Sequence, residues 1–133
     1  MDESNFTGIS PGRTATIRSA VNSGNTAKTV GSGSLEVLAT PAMIALMEQA
    51  ACACLAECLA PELTTVGTQI NVDHSAASPI GEEITATAVI MKISGRRIEF
   101  AVSARDSKQE IGKGRHTRVL VKTDEFLHKL NQI

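Results

Sequence analysis

Thr40-Pro41-Ala42-Met43-Ile44-Ala45-Leu46-Met47-Glu48-Gln49-Ala50-Ala51-Cys52-Ala53-Cys54-Leu55-Ala56-Glu57-Cys58-Leu59 is the stretch on which the fold turns. Ala, Leu and Met dominate it, and these residues lose little freedom in a helix. Thr40 is placed to cap the orphan N–H groups at the start, and Pro41 suits the first helical position, where no donor is needed. Pro61 ends the run. Apolar residues lie on every side, so the pattern predicts a helix inside the protein rather than along its surface.

Glu48 is the misfit in that helix. Ile44 and Ala45 lie one turn before it, and Ala51 and Cys52 one turn after. A carboxylate among such neighbours loses water and must be paired or neutralised. It is therefore either a structural hydrogen-bonding group or a catalytic acid or base. Cys52, Cys54 and Cys58 share the same helix. With no second cysteine pair and no usual ligand spacing, they are expected to pack as small buried thiols, and no metal site is expected.

The chain of 133 residues suits a single domain spanning 1–133, with residues 1–12 as a loose lead-in. A net charge of -1 gives no field that would favour nucleic acid or an anionic membrane. Three Phe and no Trp or Tyr leave no platform for stacked bases. No apolar run is long enough to cross a bilayer, and the start, Met1-Asp2-Glu3-Ser4, lacks the pattern of a signal peptide. A cytoplasmic protein is expected. The mean hydropathy of +0.02 is high for so small a domain and suggests a further apolar face covered by a partner.

Before the helix, Arg13 to Val21 alternates as a strand, and residues 22–34 are a Gly-, Ser- and Asn-rich loop of the kind that forms lids. Leu35 to Ala39 reads as a short strand. After it, Thr64 to His74 reads as a strand with Val66, Thr68, Ile70, Val72 and His74 on one face. His74 thus points with the apolar residues toward the helix, where Glu48 is a natural partner. Glu83 to Ile93, Arg97 to Arg105 and Ile111 to Val121 follow as strands joined by turns, and Asp124 opens a short helix able to pack Phe126, Leu127 and Leu130. The fold class is α+β. One long central helix wrapped by a curved antiparallel sheet of five or six strands is the economical way to cover it, and that layout is the hotdog fold.

The order of elements resembles hotdog-fold acyl-CoA thioesterases, and particular residues resemble the fluoroacetyl-CoA thioesterase family. The likeness runs from about Leu35 to Val121. It is sharpest at Ala39-Thr40-Pro41 with Glu48, at Thr65-Val66-Gly67-Thr68, at His74 to Gly81, and at His116-Thr117-Arg118. The resemblance implies a catalytic triad of Thr40, Glu48 and His74, with Gly67 and Arg118 serving the substrate. It further implies a homodimer, or a larger assembly of dimers, whose two active sites each draw on both chains. The substrate would be an acyl-CoA, with coenzyme A present only as part of it and no separate cofactor. In one respect the sequence departs from the family: the fluoroacetyl-specific enzyme closes its pocket with Phe residues, and residues 22–34 contain none.

Thioester hydrolysis needs an activated water or nucleophile, a proton carrier and donors for the developing oxyanion. Glu48 could activate the water or attack the acyl carbon directly, and the sequence leaves base and nucleophile both open. His74 can protonate the departing thiolate. Arg96, Arg97, Lys108, Lys113 and Arg115 could meet coenzyme A phosphates, but scattered surface charge is the commoner explanation. Gly112-Lys113-Gly114 lacks the P-loop pattern. A hydratase would need an Asp and a His projecting together, whereas Asp73 and His74 alternate along a strand. A non-catalytic acyl-CoA-binding or sensing module and a purely structural dimer remain as alternatives.

Overall fold

The computed structural model describes residues 9–132. Its elements are β1 (Thr14–Ala20), α1 (Ala27–Val30), α2 (Thr40–Leu55), β2 (Leu63–His74), β3 (Glu83–Ser94), β4 (Arg97–Arg105), β5 (Glu110–Lys122) and α3 (Thr123–Leu130). The strands form one five-stranded antiparallel sheet in the order β1-β3-β4-β5-β2. The expected strand at Leu35–Ala39 is absent, replaced by isolated bridges from Leu38 to Thr26 and from Val37 to Pro79.

Period-two alternation gives the sheet one apolar face. Ile84, Ala86, Ala88 and Ile90 of β3 and Ile98, Phe100, Val102 and Ala104 of β4 are all buried. Against them lie Met43, Leu46, Met47, Ala50, Cys54 and Leu55 of α2. The alanines of the sheet leave room for the longer Met and Leu side chains of the helix. Arg13 Nε donates to the Cys54 carbonyl at 2.8 Å, a cation where the helix dipole is negative.

Two expectations about α2 need correcting. It ends at Leu55, because Ala56 to Cys58 form a turn closed by Cys58 N–H on the Leu55 carbonyl. Nor is it covered all round: Pro41, Ala45, Gln49, Cys52 and Ala56 are exposed along one side. A five-stranded sheet reaches only one face of a helix, and a stripe of small residues costs little to leave open. Cys54 and Cys58 are buried as expected, whereas Cys52 is exposed. In α3, Leu127 and Leu130 are each 50% exposed, so the packing expected of them does not form.

The lead-in expected over residues 1–12 lies mostly outside the described residues. From Ser10 onward the chain is tied, with Gly12 N–H on the Ile90 carbonyl and Arg13 N–H on that of Ser10. The Gly-rich segment after β1 is also less loose than its composition suggests. Thr26 is buried and accepts from Thr29 N–H to start α1, while Ala27 and Ala39 N–H reach the Val37 and Asn25 carbonyls. Asn22 to Gly24 and the tip from Lys28 to Glu36 are exposed, while the residues between them are half-buried or buried. Among the described residues, no helix is long and apolar enough to cross a membrane.

β2 is an edge strand with a bulge between Gly67 and Gln69. Beyond the bulge, Ile70, Val72 and His74 pair with His116, Gly114 and Gly112; before it, Gly67 pairs with Arg118. Residues two apart on β5 share a face, so the extra residue puts Gly67, not Val66, on the side of His74. The simple alternation read from the sequence cannot anticipate that swap. β5 also lies tight against β2. A Cβ on Gly114 would overlap the backbone carbonyl of Asn71, which cannot swing aside as a side chain tip can. Gly114→Ala is therefore expected to cost about 3 kcal/mol of unfolding free energy in urea titrations; an effect within about 0.5 kcal/mol would show that the strands part easily there.

Candidate active site

One cluster forms where α2 passes β5 and the bulge of β2. Glu48 comes from the helix; His116 and Arg118, two residues apart, come from the same face of β5. Arg118 is 8% exposed and each of its guanidinium nitrogens has a partner. Nε donates to Thr65 Oγ1 at 2.9 Å and Nη2 to the Thr65 carbonyl at 3.1 Å. Nη1 donates to Glu48 Oε2 at 3.4 Å and meets His116 Nε2 at 3.2 Å. Gly67 borders this group: a Cβ there would stand 2.8 Å from Glu48 Oε2 and 3.2 Å from Arg118 Nη1. Only a glycine lets the carboxylate approach the bulged backbone so closely.

A second cluster forms at the N-terminal end of the helix. Thr40 Oγ1 and His74 Nδ1 share a hydrogen bond of 2.8 Å. Thr40 is the first helical residue, with Ala39 as the cap and no side chain capping the helix. The expected capping role is thus not filled, and the hydroxyl serves the histidine instead. Burial lowers the His74 pKa below its ordinary value, against an opposing backbone hydrogen bond at Ala76. Its Nε2 is shielded from solvent and has no hydrogen-bond partner among the described residues. A cavity of about 250 Å³ opens beside the pair, lined by Thr40, His74, Ala27, Ser32, Val37 and Leu38 among others.

The five residues expected from the sequence therefore fall into two groups, Thr40 with His74 and Glu48 with Gly67 and Arg118. The expected contact of Glu48 with His74 is not formed within the chain. Glu48 is also not buried: its side chain is 42% exposed, against 9% for Arg118. A carboxylate on the open side of the helix keeps water and takes its partners from β5. His116 is the residue that sequence reasoning passed over. It is 2% exposed, stacks on Phe100 with ring centroids 6.1 Å apart, and lies 3.9 Å from Glu48 Oε2. Its spacing from Arg118, two residues along an alternating strand, was the available signal. Arg96, Arg97, Lys108, Lys113 and Arg115 are all exposed, as scattered surface charge would be. Among the described residues no three His, Cys, Asp or Glu side chains converge as a metal site.

Comparison with known proteins bears on the fold and the family. The family model described as fluoroacetyl-CoA-specific thioesterase matches residues 21–124. The fluoroacetyl-CoA thioesterase of Streptantibioticus cattleyicolor is 41% identical over 97 residues, which span 73% of this chain and 70% of that protein. A solved structure of the fluoroacetyl-CoA thioesterase superimposes with a TM-score of 0.89 at 34% identity, covering 95% of this chain and 98% of that one. A hot-dog-like protein from Thermanaerovibrio acidaminovorans superimposes with a TM-score of 0.85 at 25% identity, covering 92% and 90%.

Both His74, half-buried, and His116, buried, favour their neutral form. Burial lowers the His116 pKa first; the Gln69 carbonyl and Glu48 oppose this, and Arg118 adds to it. A folded pKa below the ordinary 6.5 means that the unfolded chain binds more protons in that window. The stabilisation is complete above pH 6.5 and is lost as pH falls through 6.5 toward the folded values. Urea unfolding across pH 8 to 5 should therefore show constant stability followed by a decline on the acid side. In a His74→Gln, His116→Gln protein that decline should be shallower.

Proposed function

The chain belongs to the fluoroacetyl-CoA-specific thioesterase family and is an acyl-CoA thioesterase; we propose that it works as a homodimer whose two sites are each assembled from both chains. The observation that carries this reading is the division of the site residues into two groups that flank one free sheet edge. β2 has β5 on one side only, and Gly67 to Asn71 are exposed along it, with Ile70 37% exposed. A long uncovered edge is a template for a further strand. A two-fold axis near Ile70 would lay β2 antiparallel against its copy and bring residue 67 of one chain opposite residue 73 of the other. The Thr40–His74 pair of one protomer would then meet Glu48, Gly67 and Arg118 of its partner. That contact supplies the covered face expected from the mean hydropathy, and it gives the solvent-shielded His74 Nε2 a polar neighbour.

In this arrangement Glu48 is the base that takes a proton from water, and the resulting hydroxyl adds to the acyl carbon. Its open, half-exposed carboxylate is reachable by water, which favours this role over direct attack. Arg118 holds the carboxylate in place through Nη1. The Gly67 N–H and the uncapped N-terminus of α2 stabilise the carbonyl oxygen as negative charge gathers on it. When the C–S bond breaks, the proton that Glu48 took from water is relayed to the departing thiolate by His74, positioned by Thr40, whose neutral imidazole accepts it before giving it up. The products are a free acid and coenzyme A.

The acyl group is small enough for the cavity of about 250 Å³ beside Thr40 and His74. Residues 22–34 supply Ala27 and Ser32 to its wall and no aromatic ring, so short acyl groups other than fluoroacetyl are accommodated too. The reading carries with it the cytoplasmic location expected from the sequence. Release of free thiol from a panel of short acyl-CoAs tests it. The wild-type protein should turn over at least one short member; tight binding without thiol release would favour a sensing module instead. Glu48→Ala should lower kcat by at least about 10³-fold and His74→Ala by about 10²-fold, with melting close to wild type. Wild-type turnover in Glu48→Ala would remove the mechanism.

A further inference from the structure

Arg118 reaches Glu48 with one nitrogen, Nη1, and that same nitrogen meets His116 Nε2. We infer that His116 is a positioning residue of the thioesterase site, fixing Arg118 Nη1 toward Glu48 by accepting a hydrogen bond at Nε2. The tautomer follows from the other side of the ring. His116 Nδ1 lies 2.7 Å from the Gln69 carbonyl, which can only accept, so the proton is on Nδ1. Nε2 is then a bare lone pair, and the Arg118 N–H at 3.2 Å is its donor. Stacking on Phe100 holds the ring plane, and with 2% exposure the imidazole has nowhere to turn.

The consequence for the site is geometric. Thr65 takes Nε and Nη2 of Arg118, which fixes the near side of the guanidinium. Nη1 is the remaining corner, and its hydrogens are divided between a histidine and a carboxylate. A planar guanidinium held at three corners has one orientation, so the Glu48 carboxylate meets a donor in a set place. The groups facing the imidazole are Arg118 and Glu48, with Phe100 on its ring face and Gln69 at Nδ1. Protonation at Nε2 would set an N–H against the Arg118 N–H, so the neutral ring is the working form. The same histidine anchors the Gln69 carbonyl and with it the bulge that brings Gly67 to the site. One buried ring therefore ties together the cation and the glycine that border the catalytic acid.

This inference rests on the thioesterase reading above, and the two fail differently. A wild-type protein that releases no thiol ends that reading; an active protein indifferent to His116 ends this one. His116→Gln offers an acceptor where Nε2 stands and should keep most of the turnover. His116→Asn keeps a donor for the Gln69 carbonyl but offers nothing to Arg118, and its kcat should fall about 10- to 100-fold with KM changed less than about threefold. The deciding readout is the cycle with Arg118→Met. In that background His116→Asn should lower kcat by less than about twofold further, since its route of action is already gone. Should His116→Asn not fold, the cycle is run with His116→Phe, which keeps the stack on Phe100 and likewise lacks the acceptor. Equal losses in both backgrounds, or equal losses from Gln and Asn, would overturn the inference.

Discussion

An α-helix rises about 1.5 Å per residue, so Thr40 and Glu48 stand roughly 12 Å apart along the axis of α2. Among the described residues no side chain hydrogen-bonds to both. Each must therefore find its own company: Thr40 finds His74 at the end of β2, and Glu48 finds Arg118 and His116 in the middle of β5. The helix thus divides the polar residues of the fold into two groups. Everything proposed about catalysis concerns how those groups are brought back together.

The sheet provides the means. Its order places β2 at an edge, with the Gly67 group toward one end of that strand and His74 at the other. Antiparallel pairing of an edge with its own copy reverses the strand, so opposite ends meet. In the proposed dimer, Thr40 and Glu48, about 12 Å apart along one helix, would contribute to two complete sites through one symmetry operation. The bulge at Gly67–Gln69 matters for the same reason. Without the extra residue, Val66 would occupy the face toward the helix, and its side chain would displace the Glu48 carboxylate.

Much of this was legible in the sequence where a period dominates. β4 could be read from Ile98, Phe100, Val102 and Ala104, because one wetted and one buried face impose strict alternation. The helix could be read from its composition, whereas the five expected site residues, as a set, came only from resemblance to a known family. The failures have local causes. Thr40 looked like a cap, but a hydroxyl near a histidine has a better partner than an orphan N–H. Glu48 looked buried, because a sequence that is apolar all round does not say which face lacks a sheet. The pairing of Glu48 with Arg118 depends on strand register, which a bulge shifts and a linear pattern does not record. His116 was passed over because its role depends on an imidazole tautomer, and that is set by a carbonyl 47 residues away in the chain.

The most direct test of the divided site is complementation between two inactive proteins. Glu48→Ala and His74→Ala chains are unfolded together, refolded as an equal mixture, and assayed for thiol release. If each site takes Glu48 from one chain and His74 from the other, half of the dimers are mixed and each carries one intact site. Activity should then return to about a quarter of wild type. If both residues act within a single chain, no mixed dimer holds an intact site, and a mixture as inactive as its components would contradict the account.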